Sequence, residues 1–444
     1  MLPLILTLAA GVFAGALDLG VLSPALPEIG RTFAVPTAQL AWIFTIYLLA
    51  NVASIVVAGA LADRYGRRIV YLGCLTVFAA GSLLAISAPS FAVFLLARAI
   101  QAAGAGGIFP VAAAAIGDLV APERRGSALG LVAATWGLAA VIGPLAGGLV
   151  TQTLGWRWIF AANIPLALFV AFRARRDLPA RAPRQQGRLD LIGLSLLTGG
   201  LVALAIGVAE LRAAAAGIGI AVLAAFASWE LRAEHPVLPP SLMRNPRLAL
   251  TYVLEVLIGI LEGSLFFVPT VLVRGEGLSA SAAGAVAAIG AVLFVATIPA
   301  SGRALDRSGS RAVLSFGTLA TAAGLGLFAV GFTHLGAAIA AMIIAGIGFG
   351  ALLGAPTRYI VTNEAPAESR ALAVGLLSQF LIMGQLVGSA FASGMLHAAG
   401  DRTPGLRMLY LAFTAVAVIA TVPVAWLPSR SQERARLGEA QGNH

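Results

Sequence analysis

The principal ionisable side chains within the long apolar segments of this 444-residue chain are Asp18, Arg98, Glu255 and Glu262. An ionised group in the hydrocarbon region of a bilayer is costly unless it is paired or faces water, so such residues mark ion or substrate pathways. Asp18 and Arg98 could form a pair, static or functional, or share one water-filled cavity. Glu255 and Glu262 are seven residues apart, hence on one helix face and about 10 Å apart along its axis. They could be two protonatable steps along one cavity or two structural groups.

A compact charge cluster, which we call the gate cluster, separates two of the apolar segments. It comprises Gly59, Asp63, Arg64, Gly66, Arg67 and Arg68. A thinner copy containing Asp306 and Arg307 lies 243 residues on (302 minus 59) and is again flanked by apolar segments. Residues 122–126 and 366–371 recur at an offset of 244 (366 minus 122). These repeats predict a duplicated six-helix unit in which the charge contacts are stronger in the first copy.

The elements that carry these residues are predicted to be membrane-spanning helices. The chain is 59% hydrophobic and 11% charged, with a mean hydropathy of +0.93, which excludes a water-soluble globule. Apolar runs of about 20 residues without barrel-type alternation predict an all-α integral membrane protein. The predicted segments are 4–28, 39–62, 69–88, 91–116, 127–151, 158–172, 190–211, 214–231, 248–272, 281–301, 312–332, 335–357, 370–397 and 407–427.

The spacing divides these fourteen helices into six, two and six. We expect a first six-helix bundle over 1–172, a linker with two extra helices over 173–246, a second bundle over 247–428 and a disordered tail over 429–444. An arginine- and proline-rich connector, residues 173–188, ends the first half. The segment after the extra helices has four prolines within 235–246 and cannot be one helix.

Charge predicts the orientation of the chain. All 29 basic residues are arginine and the net charge is +10. Their concentration in one set of loops predicts that both termini are cytoplasmic, by the positive-inside rule. The same charge favours contact with anionic membrane lipid and not with nucleic acid, because no soluble basic domain is present.

The sequence offers no constellation for a metal, a redox cofactor or an enzyme active site. Cys74 is the only cysteine, and the four histidines lie at scattered positions without metal-ligand spacing. A phosphate-binding loop and a nucleophile-base set are also missing. We therefore predict no metal, no cofactor and no enzymatic activity.

A glycine-rich stretch and several polar and aromatic residues complete the candidate sites. Gly137, Gly143, Pro144, Gly147 and Gly148 remove bulk from one helix and allow close packing and a bend, whether for movement or for packing alone. No second Gly-Pro stretch of this form occurs in the second half. Side chains that could contact a substrate, or only another helix, are Gln101, Phe109, Trp136, Phe266, Gln379 and Gln385.

These motifs, in this order, resemble the major facilitator superfamily. The gate cluster resembles that family's signature loop between its second and third helices. The stretch Arg98-Ala-Ile-Gln101-Ala-Ala-Gly104 resembles the family's buried arginine motif, and residues 137–148 resemble its antiporter motif. Residues 17–27 and 155–165 resemble sequences of its fourteen-helix drug:proton antiporter group. The resemblance implies two pseudo-symmetric six-helix bundles plus two additional helices.

The resemblance also implies roles for the gate cluster. It implies a cytoplasmic lock that holds the outward-open state, with Asp118 as a partner at the end of the fourth helix and Arg125 nearby. Arg64 and Arg68 are expected to reach acids such as Asp118. The alternative is that the arginines only anchor the loop at the membrane surface.

Three functions follow as hypotheses. The first is a monomeric, proton-coupled exporter of lipophilic or amphipathic compounds in a bacterial cytoplasmic membrane, working by alternating access with protons as the coupling ion. The second is a lipid or glycolipid exporter on the same fold. The third, of another class, is a membrane sensor or assembly protein that transports nothing, although such a protein would need neither the gate cluster nor the intramembrane carboxylates.

Overall fold

A computed structural model describes residues 2–180, 190–234, 236, 238, 240–366, 369–399, 402–430 and 432. Residues 181–189, which include the later part of the arginine-rich connector, lie outside the described residues, as do residues 433–444, most of the tail expected to be disordered. All regular structure in the described ranges is helical. The expectation of an all-α fold is therefore confirmed.

Fourteen described helices are long and apolar enough to cross a membrane, as the sequence predicts. At a rise of 1.5 Å per residue, about 20 residues cross the hydrocarbon core of a bilayer. In chain order, the helices α1 to α14 are Leu2–Phe33, Thr37–Tyr65, Arg67–Ile86, Phe91–Leu119, Ala128–Thr153, Arg157–Asp177, Leu191–Ala209, Ala213–Glu230, Pro246–Gly275, Ala280–Ser308, Ser310–Gly331, Leu335–Glu364, Leu372–Ala398 and Thr403–Trp426.

The chain divides into two compact units. The first contains residues 1–237 and 278–288, and the second contains 238–277 and 289–444. The two extra helices, α7 and α8, which the sequence places in a separate linker, cluster with the first unit. They form a close pair, because Gly200 lies against Leu223 and Gly219 lies against Leu204.

The first long helix of each repeat is interrupted at a similar place. Helix α1 changes to a 3-10 turn at Ser23–Ala25, which contains Pro24. Helix α9 does so at Ser264–Phe267, just before Pro269. Proline has no backbone N–H and clashes with the preceding turn, which explains both interruptions.

Contacts within each unit follow the repeat seen in the sequence. In the first unit Gly106 lies against α2, and a Cβ atom added to Gly106 would lie 3.0 Å from the Cβ of Ser54. In the second unit Gly350 lies against α10, and a Cβ atom added to Gly350 would lie 2.5 Å from the Cβ of Thr297. The two glycines are 244 residues apart (350 minus 106), and their two neighbours are 243 residues apart (297 minus 54). The duplication therefore extends to helix packing.

Candidate functional site

In the first unit, Asp18 lies at the centre of a buried polar cluster. Its Oδ2 atom accepts a hydrogen bond from Arg98 Nη1 at 2.5 Å. Its Oδ1 atom accepts bonds from Gln101 Nε2 at 2.9 Å and from Asn163 Nδ2 at 2.8 Å. Asp18, Arg98 and Gln101 are 0% exposed. The structure thus brings Asp18 and Arg98 together as an ion pair in which both carboxylate oxygens have donors.

The Arg98 guanidinium is held by this one carboxylate and by neighbouring neutral groups. Its Nη1 atom also donates to Gln101 Oε1. Its Cζ atom lies 4.3 Å from the ring centroid of Tyr47 and 5.7 Å from that of Phe160, where ring faces attract a cation. Within the described residues, Arg98 Nε and Nη2 have no hydrogen-bond partner. Asp18 is therefore the counterion on which Arg98 depends.

In the second unit, Glu255 and Glu262 both lie on α9, and Gln385 of α13 contacts the second of them. Gln385 Nε2 donates to Glu262 Oε2 at 2.8 Å. The Thr357 side chain forms a hydrogen bond with Glu255, and Arg358 interacts with it electrostatically. Glu255 is 4% exposed and Glu262 is half-buried. This cluster, unlike the first, contains no ion pair within the described part of the chain.

The glycines of the predicted antiporter motif pack α5 against α1 within the first unit. A Cβ atom added to Gly143 would lie 2.9 Å from Gly20 Cα, and one added to Gly147 would overlap the Val21 carbonyl oxygen. Gly148 lies against Ala280 in the same unit. Gly137 and Pro144 are half-buried in this helix. The two helices therefore touch through their backbones.

The second unit has a similar contact, which we call the glycine seam, formed by Gly259 and Gly263 of α9 with Gly384 and Gly388 of α13. A Cβ atom added to Gly384 would lie 2.8 Å from Gly259 Cα, and one added to Gly263 would lie 3.2 Å from Gly388 Cα. The seam contains no Gly-Pro stretch, so the sequence motif sought for this role does not identify it. The available signal was Gly-x-x-x-Gly in both helices, which is typical of closely packed membrane helices.

The glycine seam predicts that two Gly→Ala substitutions in α13, one inside the seam and one outside it, differ in their effect on stability. Gly384→Ala is expected to destabilise the fold by about 1–3 kcal/mol, because the new Cβ would overlap the Val256 carbonyl oxygen, a backbone atom. Gly375→Ala is the matched control, since nothing lies within 4 Å of its added Cβ. It is expected to be neutral or stabilising by up to about 1 kcal/mol, since alanine favours helix. Unfolding in detergent measures both, and equal effects would contradict the packing.

The gate cluster forms ion pairs through Arg67. Arg67 Nη2 lies 2.6 Å from Asp63 Oδ1, and Arg67 Nε lies 3.2 Å from Asp118 Oδ2. The expectation that Arg64 and Arg68 contact Asp118 is wrong: neither forms an ion pair in the described ranges. The reason is the turn at Gly66, whose φ of 92° only glycine adopts readily. This turn starts α3 at Arg67.

The other gate residues make fewer contacts. Arg125 Nε donates to the Val120 carbonyl oxygen at 2.9 Å, and no neighbour lies within 4 Å of a Cβ added to Gly59. In the second copy, Asp306 and Arg307 are exposed and form no ion pair with any described residue. Arg430 Nη2 donates instead to the Asp306 backbone oxygen at 2.9 Å. The charge contacts are thus concentrated in the first copy.

The proposed substrate-contact residues lie in different surroundings. Gln101 and Gln385 hydrogen-bond to carboxylates on neighbouring helices. Phe109 packs against the apolar core of the first unit, and Trp136 is 41% exposed. Phe266 and Gln379 are half-buried. Across the described ranges, no group of three or more His, Cys, Asp or Glu residues could hold a metal ion.

Comparison with protein-family models gives one match that extends over nearly the whole chain. The model of the Major Facilitator Superfamily matches residues 8–295 and again residues 251–444. The solved structure of a POT family transporter in complex with 5-aminolevulinic acid superimposes with a TM-score of 0.72 at 14% identity, covering 95% of each chain. A nucleoside transporter, NupG (D323A mutant), gives 0.71 at 16%, covering 95% of this chain and 99% of that one. At these identities the likeness shows the fold alone.

Three curated relatives are similar in sequence. An uncharacterized MFS-type transporter, YfiU of Bacillus subtilis (strain 168), is 34% identical over 88% of this chain and 79% of its own length. The puromycin resistance protein pur8 of Streptomyces alboniger is 31% identical over 94% of this chain and 85% of its own. The multidrug transporter protein MdtP of Bacillus subtilis (strain 168) is 31% identical over 64% of this chain and 54% of its own.

Proposed function

The chain belongs to the Major Facilitator Superfamily of membrane transporters, and we propose that it is a proton-coupled exporter of lipophilic or amphipathic compounds. The observation that carries this proposal is the pair of carboxyl groups on α9: Glu255 is buried, and Glu262 bonds to a neutral amide. A carboxyl group inside a membrane protein without a paired cation can bind and release a proton. The names of two relatives, one a puromycin resistance protein and the other a multidrug transporter protein, support export of such compounds.

The proposed cycle is alternating access between the two six-helix repeats. Protons enter the cell as substrate leaves, so the proton gradient drives export. Both termini are placed in the cytoplasm of a bacterial cell, with the arginine-rich loops beside anionic lipid. The functional form is a monomer without a bound cofactor. In each unit, close backbone contacts between two helices would let a bundle move as one body.

The direct test is transport in liposomes that contain a pH-sensitive dye. The purified protein is reconstituted, a proton gradient is imposed, and puromycin, ethidium or a fluorescent phospholipid is added. Proton movement that requires puromycin or ethidium is the expected result. Phospholipid movement without proton flux would support the lipid exporter instead, and no movement of any probe would support a protein that does not transport.

The gate cluster gives a prediction on transport. Arg67→Gln removes both ion pairs of the gate cluster, so it is expected to lower the puromycin-driven proton flux more than Arg64→Gln, which removes none. Stability should change by less than about 1 kcal/mol in either variant, because pairs at this degree of exposure contribute little. Flux and thermal unfolding are measured on the same preparations. An equal loss of flux in both variants would contradict a special role for Arg67.

A further inference from the structure

Glu262 occupies the place in the second repeat that Asp18 occupies in the first. The two residues are 244 positions apart (262 minus 18), within the spacing of the repeats. Each lies shortly before the 3-10 interruption of its helix. The position that corresponds to Arg98, however, is Met342 (342 minus 98 is 244), which is apolar and buried. The second repeat thus has an acid at this place but no arginine to pair with it.

The partners of the two acids have different hydrogen-bonding abilities. Arginine can only donate, so it stabilises a carboxylate and cannot accept the O–H hydrogen bond of a protonated acid. Asp18 has three donors on its two oxygens. An amide has both an NH₂ donor and a carbonyl acceptor, so Gln385 can donate to an ionised Glu262 or, after rotation, accept from a protonated one. The Glu262–Gln385 pair is therefore compatible with both protonation states.

We propose that Glu262 is the group that binds the coupling proton, that Gln385 is its positioning residue, and that Asp18 stays ionised as the fixed counterion of Arg98. This inference rests on the proposed function, and it names one of the four candidate residues as the proton carrier. The proton binds to a Glu262 carboxylate oxygen from one aqueous side and leaves towards the other. Glu255, about two turns nearer the predicted cytoplasmic end of α9, is next on its path.

The charged groups around Glu262 fit this assignment. On its own helix the nearest is Glu255, which interacts with Glu262 electrostatically. Arg247, at the start of α9, is paired with Glu364 at 2.7 Å, and the Tyr410 hydroxyl donates to the Ser264 carbonyl oxygen at 2.9 Å. The segments that pack against α9 are the end of α12, from Pro356 onward, and helices α13 and α14. Their ionisable residues are Arg358, Tyr359, Glu364, His397, Arg407 and Tyr410. Arg358 is exposed and acts on Glu255.

Infrared difference spectroscopy of the purified full-length protein tests this proposal without transport. Spectra recorded while the pH is raised and lowered detect the C=O stretch of a protonated carboxyl group, and exchange into heavy water identifies it. Because Glu255 is a second carboxyl group on α9 that can bind a proton, the comparison is made in a Glu255→Gln background. There the band is expected to be present, to be lost on adding Glu262→Gln and to remain on adding Asp18→Asn. Persistence of the band after Glu262→Gln, its loss after Asp18→Asn, or its absence from the Glu255→Gln background would each overturn the proposal.

Gln385→Leu tests the positioning role and serves if Glu262→Gln cannot be purified. It should keep the band but move its pH midpoint by about one unit, a tenfold change in proton affinity. An unmoved midpoint would overturn the role of Gln385. The dye assay distinguishes failure of coupled export from failure of the assignment to Glu262. If the wild type shows proton flux but the band survives Glu262→Gln in the Glu255→Gln background, coupled export stands and Glu262 is not the proton carrier. If the band is lost on adding Glu262→Gln but the wild type shows no flux, Glu262 binds a proton and coupled export fails.

Discussion

Glu262→Gln is expected to lower proton-driven export by at least about tenfold, a change of about 1.4 kcal/mol or more in transition-state free energy. Glutamine has nearly the same shape and can still hydrogen-bond with Gln385, so the fold should be retained. It cannot bind a proton at physiological pH, so the gradient can no longer drive the cycle. The measurement is the accumulation of puromycin in inside-out vesicles under an imposed proton gradient.

The same vesicles without a gradient provide the control. Exchange of labelled for unlabelled puromycin needs substrate binding and movement but no net proton transfer, so Glu262→Gln should retain it. Glu262→Asp keeps a carboxyl group and is expected to recover part of the driven export. Driven export at the wild-type rate in Glu262→Gln would contradict the assignment, and loss of exchange as well would indicate a defect in binding or folding.

Asp18→Asn is expected to destabilise the protein by about 3–5 kcal/mol, because it leaves the fully buried Arg98 charge without its counterion. Asparagine keeps the size of the side chain, so the loss arises from charge and not from packing. Equilibrium unfolding of the purified protein in mixed detergent micelles measures it.

The second repeat supplies the control for this experiment. Its counterpart of Arg98 is Met342, so the double variant Asp18→Asn with Arg98→Met removes both charges and introduces a side chain that the fold already accepts in the second repeat. Replacement of a buried ion pair by apolar groups is often neutral. The double variant should therefore be more stable than Asp18→Asn alone. A cost below about 1 kcal/mol for the single variant would show that Arg98 has another counterion. No recovery in the double variant would show that the cost of Asp18→Asn does not come from the unpaired Arg98 charge.

The choice of partner within each motif could not be predicted from the sequence. The gate cluster contains three arginines within five residues, and the one that joins Asp63 to Asp118 is decided by the turn at Gly66 and the direction in which α3 leaves it. The sequence left the glutamines as substrate contacts or as links between helices, with the links favoured. Two of them bond to carboxylates on other helices, because the crossing of those helices places them there.

The sequence by itself determined the fourteen spans, the duplication and the family, because about 20 apolar residues are needed to cross a bilayer and each span must satisfy its own backbone hydrogen bonds. It also located the four candidate residues Asp18, Arg98, Glu255 and Glu262. Only the tertiary structure decided that Asp18 has donors on both carboxylate oxygens and that Glu262 is held by one amide across the glycine seam. The physical reason is that a spanning helix that is apolar on most faces does not show in its sequence which face contacts which neighbouring helix. That contact depends on close packing between backbones that are distant in sequence.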